Sequence, residues 1–132
     1  LVKPPQIFMG WVKKMHSLWK QSCDRLNRKS IPMSEKELVD IAKLLPTWSI
    51  ECFKNARTIR KMFKFNSSIN ASLFVQKLSD IQDEENHHAK VTVDGKKVDV
   101  IWWTHLFNNL HRNDFVMAAK TDFLYLGIAG EA

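Results

Sequence analysis

One stretch limits what this chain can fold into more than any other. Val91 and Val93 alternate with Thr92, Asp94-Gly95 is a hairpin turn signal, and Val98, Val100 and Trp102 alternate on the return. Two period-two strands joined by so short a turn pair antiparallel. A second alternation, Arg60–Phe65, puts Lys61, Phe63 and Phe65 on one side and Arg60, Met62 and Lys64 on the other, and Trp48–Phe53 reads as a short strand before it. Helical spacing surrounds these pairs. Ser34 and Glu37 have capping-box spacing ahead of Leu38, Ile41, Ala42 and Leu45. Asn66-Ser67-Ser68 offers a cap for Ala71, Phe74, Val75, Leu78 and Ile81, and Asn113 or Asp114 can cap a last helix with Phe115, Ala118, Ala119 and Phe123. Strand pairs divided by a helix predict an α+β domain: a four-stranded antiparallel sheet with helices on one face.

At 132 residues, with 45% hydrophobic and 26% charged side chains, the chain fits one domain and is too apolar for disorder. No run approaches the roughly 18–20 apolar residues that span a bilayer. Cys23 and Cys52 are too few for a disulfide scaffold and sit in no CxxC or zinc spacing. Net charge is confined to one end. Residues 1–32 carry seven cations against Asp24 alone, whereas the remainder holds 13 basic and 13 acidic side chains. The high pI is therefore not a nucleic-acid footprint, and no direct nucleic-acid partner is expected.

The basic end has its own pattern. Phe8, Trp11, Val12, Met15, Leu18, Trp19, Ser22 and Leu26 share one face of a helix that Pro4-Pro5 opens and Ser30-Ile31-Pro32 stops. The division expected is a basic amphipathic helical extension over 1–32 and a domain over 33–132. Trp11, Met15, Leu18 and Trp19 form the stripe that docks the extension, on its own domain or a partner subunit, in the groove of a larger complex, or against a membrane surface. The sequence opens on Leu1, which fits a removed organelle-targeting leader or a start not included; the expected compartment is mitochondrial or cytoplasmic, not secretory.

Four of the five histidines, at 87, 88, 105 and 111, lie within 25 residues. Imidazoles titrate near neutrality and so suit proton transfer at pH 7. The hairpin turn returns the strand ending near His105 beside the one starting after His88, so His87, His88 and His105 can meet at one sheet end, given a bend that lets adjacent residues converge. Unrelated surface histidines and a zinc site completed by Asp83 or Asp114 are the other readings. No phosphate loop, nucleophile elbow or cysteine nucleophile motif is present.

Asp83-Glu84-Glu85-Asn86-His87-His88, followed by Thr104-His105, Leu110 and Asp114, resembles the pterin-4a-carbinolamine dehydratase family, with no gap needed from Asp83 to Asp122. Trp48, Met62–Phe65 and Ser34–Leu38 extend the resemblance over about Met33–Gly127. It implies dehydration of a 4a-hydroxytetrahydropterin to the quinonoid dihydropterin, as in tetrahydrobiopterin recycling, with the pterin as substrate and neither metal nor redox cofactor. It makes His87, His88 and His105 the catalytic residues, with His87 and His105 as the acid/base pair and Asp114 and Asp83 as supporting acids. It also implies a homo-oligomer or a subunit of a larger complex. The alternative is a non-catalytic family member or dimerisation and binding module that keeps the fold and docks into a larger assembly, in a mitochondrion for example, through residues 1–32. Departures from the family pattern are Ala89 for its usual Pro, Val91 and Gly95 for its aromatics, and Asn108-Asn109 for its Gly pair.

Overall fold

A computed structural model of the protein describes residues 17–130. The elements run α1 (Glu35–Ala42), β1 (Ser49–Phe53), β2 (Ala56–Lys64), α2 (Ser68–Glu85), β3 (Lys90–Asp94), β4 (Lys97–Trp102) and α3 (Arg112–Ala129). The four strands form one antiparallel sheet in the order β1-β2-β4-β3. This is the α+β architecture expected, and the local signals act as read. Glu37 N–H donates to Ser34 Oγ at 3.2 Å and Ser34 N–H to Glu37 Oε1 at 3.1 Å, closing the capping box of α1. Ser67 caps α2, and Gly95 takes φ +60° in the hairpin turn.

Register decides which side of the sheet is covered. Ile59 faces Trp102, Lys61 faces Val100 and Phe63 faces Val98. These residues share a pleat face with Phe65. All but Lys61 are buried there with Phe74 and Leu78 of α2 and Phe115, Ala118 and Ala119 of α3. Lys61 instead reaches Asp122 Oδ1 at 2.6 Å, while Trp48 Nε1–H donates to Asp122 Oδ2 at 2.9 Å. Burial pushes the Asp122 carboxyl above its usual range and Lys61 works against that shift. The node ties the entry to β1 and the middle of β2 to α3.

The N-terminal segment differs from the helix read over 6–29. Among the described residues only 17–19 are helical there, and Lys20 to Met33 is irregular. Tertiary hydrogen bonds claim its backbone instead: Cys23 N–H donates to Glu85 Oε2 at 2.9 Å, and Asp24 N–H to Asn113 Oδ1 at 2.8 Å while Asn113 Nδ2–H returns to Asp24 O at 2.9 Å. Leu18 lies in the core, and Trp19 stacks on Phe123 with ring centroids 3.9 Å apart. These two side chains of the stripe thus pack on the domain itself; Trp11 and Met15 lie outside the described residues. Burial, with Glu85 nearby, pushes the Cys23 thiol up to about 12. No described helix is long and apolar enough to cross a membrane.

Candidate active site

The end of α2 creates the bend that two adjacent histidines need. Asn86 closes the helix with φ 51° and ψ 44°, a left-handed conformation Asn tolerates better than most residues. His87 N–H then returns to Gln82 O at 3.1 Å, and Gln82 Oε1 accepts from Ala89 N–H at 2.8 Å. The chain turns sharply, sending His87 inward and leaving His88 exposed. β4 delivers His105 to the same place. His87, His88 and His105 line one pocket of about 250 Å³ together with Leu26, Asn86, Thr104 and Leu106.

His87 is the anchored member. Its Nε2 lies 2.6 Å from Asp114 Oδ1, and its ring stacks on Trp102 at 5.8 Å. Asp114 is fully buried, and its Oδ2 accepts from Thr104 Oγ1–H at 2.8 Å and His111 N–H at 2.9 Å. With Oδ2 held by two donors, Oδ1 is the oxygen left to accept from the His87 Nε2–H, and Nδ1 is the ring nitrogen left to exchange a proton. His111, not Asn113 or Asp114, caps α3: its Nδ1 accepts from Asn113 N–H at 3.0 Å, and Asp114 is the return acid of that capping box. His111 therefore leaves the cluster read from the sequence. Burial lowers its pKa.

The other two histidines are exposed. His88 Nε2 sits 3.2 Å from Asp83 Oδ1 at the surface. His105 lies flat on Trp103, centroids 4.4 Å apart and planes 9° from parallel. Desolvation lowers the His105 pKa, and the neighbouring His87 lowers it further; Asp114 and a hydrogen bond to the His88 backbone act in the opposite direction. Among the described residues no group of three or more His, Cys, Asp or Glu is arranged to hold a metal ion. Asp83 and Asp114 engage different histidines.

Three features went unread in the sequence. Thr104 was visible as part of a Thr-His pair, but nothing local shows that it holds Asp114. Trp103 reads as one more strand aromatic until its ring is seen on His105. Leu26 falls on the helix stripe by spacing, although the polar run Asn27–Ser30 directly after it is a turn signal. Of the departures from the family pattern, Asn108 adopts φ 52°, the left-handed region for which glycine is suited, and Val91 packs on the core.

A small α+β domain with a histidine pocket at one sheet end is what the fold and site define. The family model for pterin 4 alpha carbinolamine dehydratase matches residues 31–124, and the chain belongs to that family. It is 37% identical over 115 residues, 86% of this chain and all of the other, to a protein of Saccharophagus degradans provisionally named a pterin-4-alpha-carbinolamine dehydratase. Its fold resembles that of a transcriptional coactivator/pterin dehydratase from Brucella melitensis, with TM-score 0.65 and 23% identity over 72% of this chain and 99% of that one. It also resembles a pterin dehydratase-like protein described as a RuBisCO assembly factor in the alpha-carboxysome, with TM-score 0.52 and 18% identity over 60% of this chain and 89% of that one.

Proposed function

We propose that the protein dehydrates a 4a-hydroxytetrahydropterin to the quinonoid dihydropterin, the step that returns an oxidised tetrahydropterin to its recycling route. The observation that carries this reading is the convergence of His87, His88 and His105 on one pocket, with a buried carboxylate fixed on His87. In the reaction the C4a–O bond breaks, the hydroxyl leaves as water after taking a proton, and a ring N–H gives its proton to a base. His105, whose pKa is lowered, is neutral at pH 7 and takes the ring proton. His87 acts with both ring nitrogens protonated: Asp114 accepts from Nε2–H and holds the ring, Nδ1–H gives its proton to the departing hydroxyl, and Nδ1 takes up another from solvent before the next turnover. His88, at the rim beside Asp83, binds the substrate. The proposed chemistry is proton transfer alone and calls for no metal or redox cofactor.

The test is the rate of 4a-hydroxytetrahydropterin dehydration with the intact protein, His87→Ala and His105→Ala. Acceleration over the spontaneous reaction that disappears in both variants supports the assignment. A folded protein without acceleration rejects it. One observation favours the second reading, a family member that binds without catalysing: Val91 is turned to the core where the family carries an aromatic.

A further inference from the structure

Residues 21–33 run past the histidine pocket, and most of this segment lies before the region shared with the family model. Its two ends are fastened. At the first, Arg112 bonds Gln21, donates to Ser22 O at 3.1 Å and pairs with Asp24 at 3.1 Å, beside the paired bonds between Asp24 and Asn113. At the second, Met33 N–H donates to Leu110 O at 2.9 Å. Between them the chain bonds to itself: Asn27 N–H donates to Ser30 Oγ at 2.9 Å, Lys29 N–H to Asn27 Oδ1 at 2.8 Å, and Ser30 N–H to Asn27 O at 2.9 Å.

Leu26 sits between the clamp and this closed turn. It is the only apolar side chain between Cys23 and Ile31. Cys23 and Met33 pack against the core, but Leu26 does not belong to that cluster. It is half-buried in the pocket wall with His87, His88 and His105. Packing of the domain therefore gives no reason for a leucine here, whereas the face of a flat ring bound in the pocket does.

We infer that residues 21–33 form a wall of the substrate pocket, and that Leu26 is the substrate-binding side chain that holds the pterin ring against the histidines. The inference rests on the dehydratase reading for the identity of the ligand. Leu26 takes over the apolar contact that Val91, directed into the core, does not supply.

The experiment compares wild type, Leu26→Ala and Leu26→Met in dehydration kinetics and in a fluorescence titration with a 7,8-dihydropterin. Loss of the side-chain contact is expected to raise KM and the dihydropterin Kd about tenfold in Leu26→Ala. The kcat should stay within about twofold, because the proton-transfer groups are untouched, and Leu26→Met should bind like wild type. An unchanged KM and Kd in Leu26→Ala overturns the inference while leaving the dehydratase reading intact. An inactive wild type rejects the dehydratase reading alone; the titration still decides the role of Leu26. A wild type that binds no dihydropterin overturns both.

Discussion

The two halves of the histidine pocket are built on opposite terms. On one side His87 is buried, stacked on Trp102 and tied to a carboxylate whose other oxygen is held by Thr104 and by the first turn of α3. On the other, His88 and His105 are exposed, one beside a surface aspartate and one lying on an indole. The buried half fixes a tautomer and a direction, whereas the exposed half stays open to solvent and substrate. The proposed dehydration, which both protonates and deprotonates one ligand, calls for two imidazoles in different environments, and this division supplies them.

The largest effect expected from breaking this contrast falls on Asp114. Asp114→Asn offers its neighbours one donor too many, frees the His87 tautomer and weakens the α3 cap. Dehydration should fall by about 10²–10⁴-fold and the domain should lose about 2–3 kcal/mol, read by denaturant unfolding. His87→Ala and His105→Ala separate the halves: both should lower the rate by about 10²-fold or more. Only His87→Ala, which leaves Oδ1 of the buried Asp114 without its partner, should also lower stability, by about 1–3 kcal/mol. Equal destabilisation by the two would erase the distinction.

The pH profile sharpens the comparison further. A base whose pKa is lowered stays neutral to more acid pH, so the acid limb of kcat/KM should have its midpoint below the ordinary imidazole value of 6.5. Trp103→Ala admits water to the His105 ring and should move that midpoint upward. A wild-type midpoint above 6.5 would remove His105 as the group that sets the acid limb. The smallest effect belongs to Asp83→Asn. Its pair with His88 is exposed, so stability should change by less than about 0.5 kcal/mol and KM by no more than about threefold.

What was legible in the sequence was whatever local chemistry decides. The Asp94-Gly95 turn, the Ser34/Glu37 box and the alternation of Lys61, Phe63 and Phe65 each read true because turn type, cap and pleat are set within a few residues. The meeting of three histidines followed from the hairpin and from family likeness together. The path after Trp19 was not legible, because Glu85, Arg112 and Asn113 compete for that backbone from about 60 to 90 residues away in sequence. The position of Leu26 went with it, as did Thr104, whose partner is known only once α3 is docked.

Asp114 belongs to two structures at once, since the carboxylate that orients His87 also completes the capping box of α3. The first turn of that helix consequently cannot fray without releasing the imidazole. Local opening and release of the His87 ring become one event, and amide hydrogen exchange at Asn113 and Asp114 reports directly on the state of the histidine pocket.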